Sequence, residues 1–327
     1  MIINLTQGTN EWLIWRRSGI GSSDASVMIR YILRDAYLKE EDLSSICDCD
    51  LTYIKTPFMF FLEKKNLILS TSSDYVNDYM VIGKEVEGRA RELFNNTFRR
   101  QMTPTCFQND TYSFIRTSTD GFDKNFNEVL EVKTVSPQKF ERIFNEDKIP
   151  VNYYFQILHH FLATNARKVY LLVVTQDLER YLIKEYSIEE QRIQDGCDYL
   201  FNYEKKFYET YLADDYQEDG NYYFPDFFDE DIKTLKKIDD DILLKLTSSD
   251  LHHLKSTDVK DIILYTVKKF KAKFCLRFCN FLFFLYPKKP TLRVDYLNDF
   301  DEVINNFNFF IKDERIDTTI MLNYLLI

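Results

Sequence analysis

The segment 112–135 places the strongest constraint on how this chain can fold. An apolar run through Phe114 and Ile115 leads to Asp120 and Gly121, the polar run DKNFNE follows, and VLEVKTV then alternates apolar and polar residues. Alternation with a period of two is typical of a half-buried strand, and a polar run between two such strands indicates a turn. The segment therefore predicts a β-hairpin.

The hairpin carries residue types suited to phosphodiester hydrolysis. Because strand side chains repeat every two residues, Glu131 and Lys133 face one side and Val132 faces the core. Mg²⁺ takes oxygen ligands and keeps waters, so Asp120, Glu131 and a substrate phosphate suffice, with the backbone carbonyl of Val132 completing the shell. Lys133 can hold or deprotonate the attacking water. An exposed hairpin with solvated Asp, Glu and Lys side chains has the same pattern.

A long helix over about 75–96 contains an acid on its apolar face. Glu87 lies at helical spacing with Val86, Ala90 and other apolar residues. A buried carboxylate is costly unless a cation compensates it. Two explanations are open at this point, a bound metal ion or an ion pair with Arg91 four residues later.

A second candidate site lies near the start of the chain, in TQGTNEWLIWRRSGIGSSDASVMI. Ser22, Ser23 and Asp24 are predicted to begin a helix just after Arg16 and Arg17. Backbone N–H groups, two hydroxyls and two guanidinium groups can together bind a phosphate. The alternative is that Ser23 and Asp24 only cap the helix and that Arg16 is a surface cation.

The order of predicted elements indicates an α/β protein of the α+β type, with a small mixed sheet covered by helices on both faces. An amphipathic helix, VNYYFQILHHFLAT, places Gln156 and His160 on one face. Residues 34–53 are expected to form an insertion or surface loop. The predicted nuclease domain spans 1–212, and 213–327 is expected to be an acidic linker and a mainly helical region, with helices in 231–246, 248–286 and 299–311.

Charge and cysteine content narrow the possible functions. The net charge of −10 argues against broad binding of nucleic acid, but the acidity is uneven, with an acidic stretch at 214–241 and a basic one at 268–277. A metal-dependent nuclease needs only a local basic track. The six cysteines show no C-x-x-C pair and no evident disulfide spacing, and no secretory signal precedes them, which indicates a reducing intracellular compartment. The apolar run 274–287 is too short for a membrane span and predicts a buried helix.

Six motifs occur together in one order: W-x(2)-W-R-R-S-G-I-G-S-S-D, K-T-P-x(4)-L-E-K, G-K-x-x-E-x-x-A-R-x-L-F, S-T-D-G, E-V-K and Y-Y-x-Q. In this the chain resembles, over about residues 6–186, the YqaJ-like viral recombinase family, to which the phage lambda exonuclease belongs. These are PD-(D/E)xK nucleases, so the resemblance implies a restriction-endonuclease-like core. The chain departs from the family pattern at Thr119, where a proline is common, and at Leu158, which replaces a second glutamine.

The resemblance also implies roles for particular residues. Asp120, Glu131 and the Val132 carbonyl would bind the metal ion, and Glu87 would bind it directly or through water. Lys133 would position the nucleophilic water and Gln156 would orient the active site. Arg16 and Ser23 would receive a terminal 5′ phosphate.

The function expected on this basis is a Mg²⁺-dependent deoxyribonuclease, with Mn²⁺ as a substitute, that digests double-stranded DNA ends in the 5′-to-3′ direction. The 3′ single-stranded tails would serve recombination or viral replication, in the cytoplasm or where viral DNA replicates in an infected cell. A homotrimer and a single-strand annealing protein are the expected partners, and no membrane is. Two alternatives remain: a DNA-end-binding or partner-recruiting module with degenerate catalysis, and an iron–sulfur nuclease of the same superfamily.

Overall fold

A computed structural model of the chain describes residues 1–35, 40–52, 54–65, 78–213, 225, 274–278, 281–285, 291–297, 303–312 and 315–316. The chain divides into two compact units, one formed by Met1–Phe60 and Ser72–Ala213 and the other by Phe61–Thr71 and Asp214–Ile327. Among the described helices, none combines the length and the apolar character needed to cross a bilayer.

The described α-helices are α1 Asn10–Arg17, α2 Ile29–Arg34, α3 Glu40–Ile46, α4 Pro57–Lys64, α5 Asp78–Phe98, α6 Pro137–Glu146, α7 Val151–Thr164 and α8 Gln191–Phe207. A 3-10 helix covers Ala25–Met28 and a π-helix covers Tyr208–Leu212. The strands are β1 Ile2–Ile3, β2 Ile20–Gly21, β3 Cys47–Asp48, β4 Thr103–Gln108, β5 Ile115–Asp123, β6 Glu128–Val135, β7 Ile149–Pro150, β8 Lys168–Thr175, β9 Tyr181–Ser187, β10 Phe274–Phe278, β11 Phe281–Leu285, β12 Thr291–Leu297, β13 Val303–Lys312 and β14 Arg315–Ile316.

The first unit is built on a mixed sheet with strand order β1-β4-β5-β6-β8-β9. The predicted hairpin is β5 and β6, which pair antiparallel with Gly121 opposite Leu130. Strands β6 and β8 pair in parallel, and β2 adds a parallel bridge to β5. Helices connect or follow these strands, as the sequence predicts for a mixed α/β fold.

The two faces of β6 are covered by different helices. Leu130 and Val132 are buried against Val86, Ala90 and Phe94 of α5. Glu131, between them in sequence, points to the opposite face and contacts α7. The sheet is therefore flanked by helices on both faces, and this part of the predicted fold class is confirmed.

Gly121 lies where the hairpin has no room for a side chain. A Cβ atom there would lie 2.7 Å from the Met102 Cβ and 3.2 Å from the Leu130 Cβ. Real Cβ atoms essentially never approach as closely as the first distance. The glycine of the S-T-D-G motif therefore permits close packing behind Asp120, and steric space explains its presence.

The helical segment predicted to follow Ser22–Asp24 is present, since Asp24 is the N-cap of a 3-10 helix over Ala25–Met28 that leads directly into α2. Residues 34–53, expected to form an insertion or surface loop, are not a surface loop in their described part, since Leu43 and Cys47 are buried and β3 pairs with β7. Apolar residues at these positions stabilise the segment by burial despite its acidic composition.

The prediction of a mainly helical C-terminal region is wrong for the part of that region that the structure describes. Residues 274–316 contribute a five-stranded sheet in the order β10-β11-β12-β13-β14, with antiparallel pairing. The runs FCLRF and FLFFL are short and rich in aromatic residues, which favours strands over a buried helix. The helices predicted between 231 and 273 lie outside the described residues.

Candidate active site

The two acids of the hairpin face each other across neighbouring strands. The backbone N–H of Val132 donates a hydrogen bond of 2.7 Å to Asp120 Oδ2. Asp120 is half-buried and the side chain of Glu131 is almost fully buried. Burial raises the pKa of Asp120 well above its usual range, and the negative charges of Glu131 and Glu87 raise it further. These acids are therefore close enough to repel each other.

Glu131 is held by donors on both carboxylate oxygens. Lys133 Nζ lies 2.7 Å from Oε1, and Gln156 Nε2 donates to the same oxygen at 2.7 Å. His160 Nε2 lies 2.9 Å from Oε2. Burial alone would raise the pKa of Glu131, but Lys133 and His160 outweigh it and lower the pKa to about 2. Glu131 is consequently ionised at neutral pH.

Lys133 remains a cation in this setting. Burial lowers the pKa of its ammonium group, but the charges of Glu131 and Asp120 more than offset the burial, so the net pKa is raised. The ammonium also lies 5.2 Å from the ring centroid of Tyr153, within range of a cation–π interaction. Lys133 can therefore donate hydrogen bonds at this site and is poorly suited to accept a proton.

Glu87 connects to the site through Arg91. Arg91 Nη1 lies 3.0 Å from Glu87 Oε1 and donates a 2.8 Å hydrogen bond to the backbone carbonyl of Asp120. The ion pair offered as one of two explanations for Glu87 is thus present. Glu87 also raises the pKa of Asp120, so its charge is felt at the hairpin acids.

The two residues expected to bind phosphate contact each other. Arg16 Nη2 donates a 2.5 Å hydrogen bond to Ser23 Oγ, and the Arg16 guanidinium lies 5.1 Å from the Trp12 ring centroid. Ser22, the residue before Ser23, accepts a hydrogen bond of 3.5 Å from Gln156 Nε2. Gln156 therefore connects Glu131 to Ser22, the neighbour of Ser23 in sequence.

The donor set suits one kind of metal ion. Within the described residues, no three His, Cys, Asp or Glu side chains converge to enclose an ion by themselves. A structural zinc site needs four such ligands. Mg²⁺ keeps several waters and needs only one or two carboxylates plus substrate oxygens, and the mutual repulsion of Asp120 with Glu131 is what a divalent cation would relieve. The site therefore fits a divalent cation that prefers oxygen ligands and retains water.

The sequence reasoning missed two contributors to the site. His160 was placed on the face of Gln156 but given no role, although the spacing of four residues is the signal that both would reach one partner. Thr117 Oγ1 lies 2.9 Å from His160 Nδ1. No sequence signal pointed to Thr117, since a threonine in a strand is ordinary.

Comparison with known proteins bears on these residues. Residues 11–167 match the family model of the YqaJ-like viral recombinase domain, a range that includes every predicted site residue. The uncharacterized protein YqaJ of Bacillus subtilis (strain 168) is 26% identical over 213 residues, which cover 63% of this chain and 57% of that protein. The chain thus matches little more than half the length of this relative.

Two solved structures are similar in backbone. An alkaline exonuclease from Laribacter hongkongensis gives a TM-score of 0.45 at 12% identity, covering 62% of this chain and 93% of that one. A phage-related exonuclease from Haemophilus somnus 129PT gives 0.38 at 12% identity, covering 58% and 93%. The resemblance predicted from the six motifs is confirmed by the family match: residues 11–167 of this chain match the YqaJ-like viral recombinase domain.

Proposed function

We propose that this protein is a Mg²⁺-dependent deoxyribonuclease that digests double-stranded DNA from its ends in the 5′-to-3′ direction. The observation that carries the proposal is the buried, ionised Glu131, which lies beside Asp120 and is bound by Lys133 and Gln156. Such a pairing of acids with a retained cation is costly to bury and gives little stability by itself. It is useful where a divalent ion and a phosphate must be bound.

In this proposal, Asp120, Glu131 and the backbone carbonyl of Val132 hold the ion, and Glu87 binds it directly or through water. When bound, Mg²⁺ would lower the pKa of a bound water and offset charge on the phosphate, and Mn²⁺ would substitute. The like charges of Asp120 and Glu131 support this assignment, because their repulsion falls when a cation is present.

Lys133 donates to the attacking water or to a phosphate oxygen. Its raised pKa keeps the ammonium protonated at neutral pH, so it orients the nucleophile and offsets negative charge as the phosphorus centre becomes more crowded. The role as a base, one of two considered from the sequence, is not supported by this pKa. Gln156 keeps Glu131 in place through its 2.7 Å hydrogen bond.

Arg16 and Ser23 bind the terminal 5′ phosphate of the DNA strand. A guanidinium and a hydroxyl already joined by a hydrogen bond offer several donors to one phosphate. Gln156 donates hydrogen bonds to Glu131 and to Ser22, the residue before Ser23, so the phosphate-binding pair adjoins in sequence a residue that contacts the site. This arrangement supports cleavage at a DNA end over cleavage within a duplex.

Further parts of the proposal concern the whole protein. The nuclease activity is assigned to residues 1–212, and its 3′ single-stranded tails would serve recombination or viral replication with a single-strand annealing protein. A homotrimer that encircles DNA would reconcile the net charge of −10 with DNA binding, because only the inner surface has to be basic.

The proposal is tested by a time course on two forms of one DNA, an end-labelled linear duplex and a covalently closed circle, each with Mg²⁺ or with EDTA. We expect mononucleotide release from the linear duplex with Mg²⁺ and no cleavage of the circle. A matched reaction with Glu131→Gln controls for contaminating nucleases. Binding of linear DNA without Mg²⁺-dependent release would contradict the proposal and favour an end-binding module.

A further inference from the structure

We infer that His160 and Thr117 position the Glu131 carboxylate for metal binding, an inference that rests on the proposed function. Thr117, His160 and Glu131 form one continuous hydrogen-bonded network that spans three secondary-structure elements. Thr117 belongs to β5, His160 to α7 and Glu131 to β6. Neither residue belongs to the proposed ligand set or to the phosphate pair.

His160 is the only donor to Glu131 Oε2 within the described residues. The other oxygen, Oε1, is shared by Lys133 and Gln156. A carboxylate anchored at one oxygen can still turn about its terminal bond, whereas contacts at both oxygens fix its plane. His160 therefore decides how Glu131 presents its remaining lone pairs to an ion.

Burial limits what His160 can do. Its relative exposure is 0%, so the ring reaches neither bulk water nor a bound DNA strand. A role as catalytic acid or base would need contact with the reacting atoms. His160 consequently acts only through Glu131 and is a positioning residue.

The partners of His160 differ at its two ring nitrogens. A metal-binding carboxylate accepts hydrogen bonds, so the contact with Glu131 Oε2 is made by a hydrogen on His160 Nε2. Thr117 Oγ1 lies 2.9 Å from Nδ1, is 2% exposed, and can donate its hydroxyl hydrogen to that nitrogen. Partners of metal ligands commonly fix the ligand in this way, and their loss weakens metal binding.

The inference predicts an ordered set of metal affinities. We expect His160→Leu to raise the Mn²⁺ dissociation constant about 10- to 100-fold, the range usual for partners of metal ligands. His160→Gln keeps an N–H donor near the position of Nε2, so it is expected to recover most of that loss. Thr117→Val removes one hydroxyl at nearly constant volume and is expected to give a smaller rise.

Isothermal titration of the full-length variants with Mn²⁺, in the absence of DNA, measures these constants, and thermal unfolding without metal checks the fold. A folded His160→Leu variant with the native dissociation constant would overturn the inference. Failure of His160→Gln to recover affinity would overturn it as well, because a donor is then not what matters. If His160→Leu does not fold, Thr117→Val decides, and an unchanged constant there refutes the inference.

The native chain separates this inference from the proposed function. Native protein that neither binds Mn²⁺ nor releases nucleotides with Mg²⁺ contradicts the proposed function itself. Native protein that does both, alongside a His160→Leu variant of equal affinity, contradicts only the positioning role.

Discussion

The backbone N–H of Val132 donates to the Asp120 carboxylate at 2.7 Å and so fixes the side chain of one strand to the backbone of the next. The contact holds Asp120 close to Glu131, whose negative charge adds to burial in raising the pKa of Asp120. Asp120 cannot turn away to relieve the repulsion without losing a hydrogen bond. The hairpin is therefore under electrostatic strain that a cation or a neutral side chain would relieve.

Replacing Asp120 with Asn should raise stability without metal and abolish stabilisation by metal. The amide keeps an oxygen for the Val132 N–H but removes the charge that repels Glu131 and Glu87. Thermal unfolding of both proteins, with and without Mg²⁺, measures the effect. We expect Mg²⁺ to raise the melting temperature of the native chain only, because a ligand stabilises the state that binds it. Equal shifts in both proteins would show that Asp120 is not a ligand.

Replacing Lys133 with Met should lower the rate of nucleotide release about 10²- to 10³-fold, the usual cost of losing one donor to developing charge. Lys168→Met is the matched control, since Lys168 pairs with Glu185 at the start of β8 and has no contact with Glu131. Single-turnover release from end-labelled duplex compares the two. Similar rates of release in both variants would show that Lys133 has no role in hydrolysis.

Replacing Arg16 with Ala should abolish the preference for 5′-phosphorylated over 5′-hydroxyl ends. Arg16 contacts Ser23, whereas Arg17, next to it in α1, is exposed and serves as the control. The ratio of release rates on the two substrates is the measurement. We expect Arg17→Ala to keep the native ratio even where it weakens overall binding. An unchanged ratio in Arg16→Ala would refute the end pocket but leave the hydrolytic site intact.

Replacing Gly121 with Ala should destabilise the fold by about 1–3 kcal/mol, because the added methyl group overpacks the core against Met102 and Leu130. Gly88→Ala is the control within helix α5, where the nearest atom to an added Cβ, apart from the helix backbone, is Arg91 Nη2 at 3.9 Å. Alanine is favoured over glycine in a helix by about 1 kcal/mol. Denaturant unfolding should therefore move the two variants in opposite directions.

The buried pair of His159 and Glu204 should make stability depend on pH. Burial lowers the pKa of His159, but Glu204, 2.7 Å away, and the carbonyl of Arg116 outweigh it and raise the pKa above 6.5. Burial and the charge of Asp24 also raise the pKa of Glu204. Groups with raised folded-state pKa values contribute stability at low pH, and this contribution is lost as pH rises through those values.

The free energy of unfolding of the native chain should accordingly fall as the pH rises above the ordinary pKa of histidine, about 6.5. In Glu204→Gln the decline should be smaller, because the charge that raises the pKa of His159 is gone. Denaturant titrations across this range provide the measurement, with the surface variant Glu185→Gln as control. A native slope retained in Glu204→Gln would assign the pH dependence to other groups.

The hairpin and α7 could be predicted because local pattern and site chemistry agree there. Alternation identified β5 and β6, and the spacing of four placed Gln156 beside His160. The hydrogen bonds that join Thr117, His160 and Glu131 could not be predicted, since they depend on how α7 packs across the sheet. The contact of Ser22 with Gln156 could not be predicted for the same reason, because the two residues are 134 positions apart in the sequence.

The C-terminal prediction failed for a different reason. The apolar run at 274–287 is compatible with a buried helix or with short strands, and periodicity alone does not separate them. The aromatic content of FLFFL, at β11, was the available signal. The prediction of a surface loop at 34–53 failed because it relied on the acidic composition of the segment and gave no weight to Leu43 and Cys47, which are buried.

Gln156 and His160 contact the two oxygens of the Glu131 carboxylate from successive turns of α7. The geometry of the site therefore depends on the number of residues between them. Inserting or deleting a single residue between them would rotate one side chain about 100° around the helix axis. Such a change would remove one of these two contacts to Glu131 while every acid stayed in place. Engineered insertions, loop grafts or circular permutations of this protein should therefore leave the four-residue spacing of 156–160 unchanged.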